Sequence, residues 1–168
     1  MMHSTCPAAP TILIVDDSPV CRTVLRIALS RAGYHVQTCC DGLSALSTLA
    51  HLASKAAAPD LLILDWLLPH LSGLQLASLL RHQTRFPQLN HLPILMLSCR
   101  HGALDRLKAR LAGASAFLPK PFTIADLLAI VRALLSSSSG PLLTSLSPPP
   151  ALPPVPTAQS LPPPSFFP

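Results

Sequence analysis

The stretch Thr11-Ile12-Leu13-Ile14-Val15-Asp16-Asp17-Ser18-Pro19 decides the fold. Ile12 to Val15 is a short apolar run rich in β-branched residues. It is continuous rather than alternating, as expected of a strand buried on both faces. The run stops at two aspartates. Ser18-Pro19 then opens a helix, with a hydroxyl before a proline at the first helical position. Val20, Val24, Ile27 and Ala28 fall on one face at helical spacing, and Ala32-Gly33 closes the helix. A buried strand that ends in acids and turns directly into a helix is half of a strand–helix–strand unit.

The same alternation continues along the chain. A weaker strand at His35 to Thr38 precedes a helix from Leu43 to Ser54. Leu61 to Leu64 is a second buried strand, followed by Asp65 and a helix predicted from Ser72 to Arg85. Pro93 to Leu97 is another, followed by Ser98 and a helix marked by Leu104, Leu107, Lys108 and Leu111 and ended by Gly113. Ser115 to Leu118 leads into Pro119-Lys120-Pro121. A last helix is capped by Thr123 with Asp126 three residues on, and is lined by Ile124, Leu127, Leu128, Val131 and Leu135. Repeated strand–helix units predict an α/β fold: a five-stranded parallel sheet with helices on both faces, doubly wound and flavodoxin-like.

Composition sets the bounds. The chain has 168 residues, 49% hydrophobic but only 11% charged, against an ordinary charged share of about 25%. Every acid is an aspartate, and the formal charge is +5. The pattern breaks near Ser136: residues 136–168 contain 11 prolines, 8 serines and no charge. That stretch cannot bury enough surface to offset its ordering entropy, so it reads as a disordered Pro/Ser-rich tail. Residues 1–10 read as a disordered lead-in, which leaves 11–135 as one domain. No apolar run of about 18 residues lacks a charge or proline, so no membrane span is expected. No secretory leader is visible, and the five cysteines contain no C-x-x-C. Free thiols in a reducing cytoplasm are the expectation. The positive charge forms no long basic run, so the partners are expected to be proteins and not nucleic acid. His51, His70, His82 and His91 lack ligand spacing and read as surface residues.

In a doubly wound sheet, ligands sit beyond the carboxyl ends of the strands. The polar residues there are Asp16 and Asp17, Asp65, Ser98 and Lys120. Taken singly, each has an ordinary reading: a helix cap, a loop cap, a strand-end hydroxyl, a surface charge. Taken together they place three carboxylates, a hydroxyl and an ammonium at one end of one sheet. Clustered carboxylates repel one another unless a cation neutralises them. A hard all-oxygen site suits Mg2+, which keeps waters and accepts phosphate oxygens. An aspartate can act as nucleophile toward phosphorus, with lysine and hydroxyl answering the charge on the phosphoryl oxygens. No G-x-G-x-x-G follows the first strand, which disfavours a dinucleotide enzyme. Asp65-Trp66-Leu67 is not the Asp-x-Asp of an aspartate-nucleophile phosphatase.

The opening stretch, Leu62-Ile-Leu-Asp-Trp-Leu-Leu-Pro69 with Gly73, Leu95-Met-Leu-Ser98 and Phe117-Leu-Pro-Lys-Pro-Phe122 resemble the receiver domain of two-component response regulators. The region from Leu89 to Arg110 is similar to stand-alone regulators of the chemotaxis and twitching-motility type. The resemblance implies phosphorylation at Asp65, by a sensor histidine kinase or a phosphotransfer protein. It implies Mg2+ held by Asp17, Asp65 and the Leu67 carbonyl, with Asp16 acting through a metal-bound water. Ser98 and Phe117 match the switch pair, and Lys120 the lysine that pairs with the phosphate. The peptide before Pro121 is commonly cis in this family. Leu67, Cys99 and Arg100 depart from the usual residues near the phosphoryl group and bear on its lifetime. The expected function is a stand-alone response regulator, not an enzyme on a separate substrate, whose output is contact with a downstream protein target. The alternative is a constitutive docking module of the same fold, little phosphorylated.

Overall fold

The computed structural model describes residues 9–100 and 102–137. Five strands, β1 (Thr11–Val15), β2 (His35–Cys39), β3 (Leu61–Asp65), β4 (Ile94–Ser98) and β5 (Ala116–Pro119), form one sheet in the order β2-β1-β3-β4-β5. Every pairing is parallel. Between and after them run α1 (Pro19–Arg31), α2 (Gly42–Ser54), α3 (Gly73–Arg81), α4 (Ala103–Leu111) and α5 (Ile124–Ser137), with a short 3-10 helix at Pro87–His91. This is the architecture that the alternating pattern predicts.

The pleat divides each central strand between two apolar layers. Ile12, Ile14, Ile63, Leu95 and Leu97 pack with α1 and α5 on one face. Leu13, Val15, Leu62, Leu64 and Met96 pack with α2, α3 and α4 on the other. Fully burying an aliphatic side chain of this size contributes about 1.5–3 kcal/mol. The strands β1, β3 and β4, buried along nearly all their length, are therefore the rigid platform from which the acids project. The edge strand β2 is largely exposed, in keeping with its weaker apolar signal.

Helix faces and ends depart from expectation. In α1 the inward residues are Leu25 and Leu29, whereas Val20, Val24 and Ile27 are exposed, Val20 at 71%. Apolar residues occupy two faces of this helix, and contacts at its first turn choose between them. In α4 only Ala109 is buried; Leu104, Leu107 and Leu111 point outward. The predicted face of α5 is divided, with Leu127 and Val131 buried and Ile124 exposed. The helix α3 ends at Arg81 rather than Arg85. The Gln83 N–H turns away from the helix and donates to Asn90 Oδ1 at 3.1 Å. The Arg81 guanidinium leaves the helix surface to donate to the carbonyls of Asn90 and Leu92, each at 2.9 Å, and of Gly113. Gly113 has φ +99, and a Cβ there would lie 2.4 Å from Arg81 Cγ. The Lys120–Pro121 peptide is cis. The predicted tail lies outside the described residues beyond Ser137, and α5 extends two residues past the expected boundary. The lead-in lies outside them up to residue 8.

Candidate functional site

Each strand that carries a predicted site residue delivers it to the same end of the sheet. Asp16 follows β1 and is wholly buried, and Asp65 closes β3 with 7% exposure. Ser98 closes β4 with 1% exposure, and Lys120 follows β5. Asp17 is exposed at the mouth. One oxygen from each of Asp16, Asp17 and Asp65 lies within 4.8 Å of the others. Ser18, not Asp17, caps α1, accepting from the Cys21 N–H at 3.3 Å. The Asp17 carboxylate is thereby left to the pocket.

Lys120 bridges two of the acids. Its Nζ donates to Asp16 Oδ2 at 2.8 Å and to Asp65 Oδ1 at 3.2 Å. Burial alone would lower the lysine's pKa, but its hydrogen bond to Asp16 and the charges of Asp65 and Asp16 raise it, so the group stays an ammonium. Burial pushes the Asp65 carboxyl above its ordinary value; Lys120 opposes this, and the neighbouring Asp16 and Asp17 add to it. One ammonium does not neutralise three carboxylates. The residual negative charge, the all-oxygen donor set and the open mouth fit a hard divalent cation that keeps part of its water shell. Leu67 is exposed beside Asp65, and among the described residues its carbonyl accepts no hydrogen bond.

The remaining site residues are set by local bonds. Ser98 Oγ accepts from the Arg100 N–H at 2.9 Å, and the Ser98 carbonyl accepts from the Lys120 N–H at 2.7 Å. Phe117 is half-buried and meets Trp66 edge to face, with centroids 6.4 Å apart at 89°. The Arg106 guanidinium sits over the Phe117 ring at 6.0 Å. Trp66 follows Asp65 directly, so the aromatic pair links Asp65 to Phe117. At Gly73, which donates its N–H to Trp66 O at 3.0 Å, a Cβ would fall 2.1 Å from the Asp65 carbonyl oxygen. His51, His70, His82 and His91 are all exposed, as expected.

Sequence reasoning missed two residues at the site, both from the first turn of α1. Burial first, then the nearby Asp16 carboxylate, push the Cys21 thiol pKa to about 12, so it stays protonated. The Arg22 guanidinium donates to the Asp16 carbonyl at 2.6 Å. The signal was the spacing of Cys21, Leu25 and Leu29, which defines an apolar face as regular as the one chosen. Cys39 and Cys40 form no disulfide, the first bonded to Thr48 and the second to Asp41.

Residues 12–132 match the family profile of the response regulator receiver domain. A putative response regulator from Chloroflexus aurantiacus superposes with a TM-score of 0.68 at 34% identity, covering 76% of this chain and 98% of that one. The chemotaxis protein CheY4 of Vibrio cholerae superposes at 0.66 with 31% identity, over 76% and 99% of the two chains. Among curated proteins, the response regulator MprA of Mycobacterium avium is 41% identical over 124 residues, 74% of this chain and 50% of MprA. The phosphate regulon transcriptional regulatory protein PhoB of Rhizobium meliloti is 34% identical over 137 residues, 82% of this chain and 57% of PhoB. The chain thus spans about half the length of these curated relatives. The name of the last does not support the expectation of a partner set without nucleic acid. The parallel five-stranded sheet, the acids and lysine gathered at its carboxyl end, and a profile match across nearly the whole described fold together place this chain in the response regulator receiver family.

Proposed function

We propose that the acidic pocket binds Mg2+ and that Asp65 accepts a phosphoryl group from a sensor histidine kinase or phosphotransfer protein, switching a surface that contacts a downstream protein. The observation that carries this reading is the bridging of Asp16 and Asp65 by Lys120 beside a third, unpaired carboxylate. Asp17, Asp65 and the Leu67 carbonyl are the candidate direct ligands, with Asp16 behind them. When bound, the cation offsets charge between the acceptor carboxylate and the incoming phosphoryl oxygens.

In the transfer, an Asp65 oxygen forms a bond to phosphorus as the phosphorus–nitrogen bond of a phosphohistidine breaks. The bonding pair stays with the imidazole nitrogen. Lys120 faces the pocket as an ammonium and is placed to hold a phosphoryl oxygen. Ser98 Oγ accepts from Arg100 but keeps its own hydrogen, which it can donate to the same group once the strand end moves. The chain acts on no separate substrate in this scheme; the phosphoryl group ends on its own aspartate.

Output by protein contact is supported by the surface next to Phe117. The α4 leucines Leu104, Leu107 and Leu111 are exposed, the last at 79%. A recess of about 360 Å³ between α4 and β5 is lined by Arg106, Ala109, Arg110, Ser115 and Phe117, among others. The working unit is residues 11–135, with 136–168 as an appendage that the phosphorylation chemistry does not need, and the module acts in stand-alone fashion. Among the described residues no helix is long and apolar enough to cross a membrane.

The test is incubation of the purified protein with Mg2+ and a small acyl-phosphate donor, followed by mass spectrometry. One phosphoryl group on Asp65, absent in Asp65→Asn and in chelator, is the expected result. Equal labelling of wild type and Asp65→Asn would overturn the assignment.

A further inference from the structure

The three carboxylates are anchored unequally. Asp16 accepts from Lys120 at 2.8 Å through Oδ2 and from the Ser18 N–H at 2.9 Å through Oδ1. Asp65 accepts from Lys120 at 3.2 Å. Asp17 is exposed, and among the described residues its carboxylate takes no hydrogen bond and no ion pair. Its direction is therefore set by its backbone and its own rotamer preferences, with no partner among the described residues to hold it. That backbone is the turn between β1 and α1, and the peptide joining Asp16 to Asp17 has its carbonyl held by Arg22 Nη1 at 2.6 Å. Arg22 is itself fixed on the first helical turn, its N–H donating to Ser18 O at 3.0 Å.

We propose that Arg22 is a positioning residue for divalent-cation binding: by gripping the Asp16 carbonyl it restrains the peptide plane from which Asp17 projects, and so helps to aim the acid of the triad that takes no hydrogen bond or ion pair among the described residues. The bond is short and charge-assisted, hence strongly directional. Without it the peptide keeps only the bonds on either side, from the Asp16 N–H to Cys39 O and from the Ser18 N–H to Asp16 Oδ1, so its carbonyl is less restrained and Asp17 must be ordered further at the moment of binding, which weakens affinity. Electrostatics alone makes the opposite demand. A guanidinium beside a cation site repels the cation, so removing its charge would tighten binding. The sign of the effect thus separates positioning from field.

This inference rests on the Mg2+ reading of the triad, and the experiment distinguishes the two. Mg2+ is titrated into the full-length protein by calorimetry and by fluorescence of Trp66, the sole tryptophan, which adjoins Asp65. The panel is wild type, Arg22→Met, Arg22→Lys, Asp17→Asn and the Asp17→Asn/Arg22→Met double variant. Losing an outer group that orients a metal ligand typically costs about tenfold in affinity, and Arg22→Met should show that loss. Arg22→Lys, which keeps a charged donor, should recover part of it. In the Asp17→Asn background Arg22→Met should add less than about twofold, because the residue it aims is already altered. Binding by Arg22→Met as tight as wild type or tighter overturns the proposal, as does an undiminished tenfold loss in the double variant. If Arg22→Met fails to fold, Arg22→Gln, also uncharged, supplies the same comparison. Wild type showing no saturable Mg2+ binding would instead overturn the site reading, and this inference with it.

Discussion

Replacing Asp65 by asparagine should make the metal-free protein more stable. The amide is nearly isosteric with the carboxylate, so packing at the end of β3 is kept and the change is one of charge. At an effective dielectric of about 20, Lys120 at 3.2 Å attracts the Asp65 charge by about 5 kcal/mol. Asp16, at no more than 4.8 Å, repels it by about 3.5 kcal/mol on the same basis. Asp17 adds a smaller, solvent-screened repulsion, and the pairwise contributions nearly cancel. What remains is the cost of burying the charge, the largest cause of the raised Asp65 pKa. A net gain of about 1–3 kcal/mol for Asp65→Asn follows, or about 4–12 °C in melting temperature for a domain of this size. The pH dependence has a definite sign. Because the folded-state pKa lies above the ordinary 3.8, the unfolded chain releases this proton first as pH rises. The stability of wild type relative to Asp65→Asn is therefore greatest in acid, and is lost as pH climbs through the folded-state pKa. Thermal melts of both proteins in chelator at acidic and neutral pH read this directly. Mg2+ at a hundredfold over its Kd should then add about 2.7 kcal/mol to wild type and less to the variant. A variant that melts at or below wild type at neutral pH in chelator would refute the charge argument.

Other outcomes follow from single contacts. Gly73→Ala drives a Cβ against the Asp65 carbonyl, so it should cost about 1–3 kcal/mol by chemical denaturation and slow phosphorylation by displacing the acceptor. Arg81→Met strands the carbonyls of Asn90, Leu92 and Gly113 and should cost about 2–4 kcal/mol in urea unfolding, a loss that salt does not reproduce because among the described residues no acid pairs with the guanidinium. Ser98→Ala should still take phosphate at Asp65, while the change in NMR shifts at Phe117 that accompanies a phosphoryl mimic disappears. Removing the residues after Ser137 should leave the melting temperature within about 2 °C, since less than 1 kcal/mol is at stake if that stretch packs on nothing.

The strand ends were legible because their signal is one-dimensional: an apolar run, then the residue that stops it. Asp16, Asp65 and Ser98 needed nothing more than the parallel-sheet rule to be brought together. Helix orientation was harder, because α1 carries Val20, Val24 and Ile27 on one side and Cys21, Leu25 and Leu29 on the other. Both sides are apolar, and the structure turns Leu25 and Leu29 onto the sheet, with Arg22 returning onto the Asp16 carbonyl. An arginine on a first helical turn reads as a solvated charge until its carbonyl partner is seen. The end of α3 depended on Asn90, beyond the reach of local propensity. The contacts of Phe117 with Trp66 and with the Arg106 guanidinium join residues well separated in sequence, beyond any local signal.

The guanidinium of Arg81 ties the approach to β4 and the approach to β5 to one helix, at the amino ends of those strands. Ser98 and Lys120 sit at the opposite ends. The two strands therefore resemble beams clamped at one end and loaded at the other. A displacement at the loaded end should therefore fall off toward the clamped one. On the proposed function, a ligand that senses the state of Asp65 is expected to approach from the side of α4 and Phe117, and one seated beside Arg81 to meet nearly the same surface whether or not the aspartate is modified.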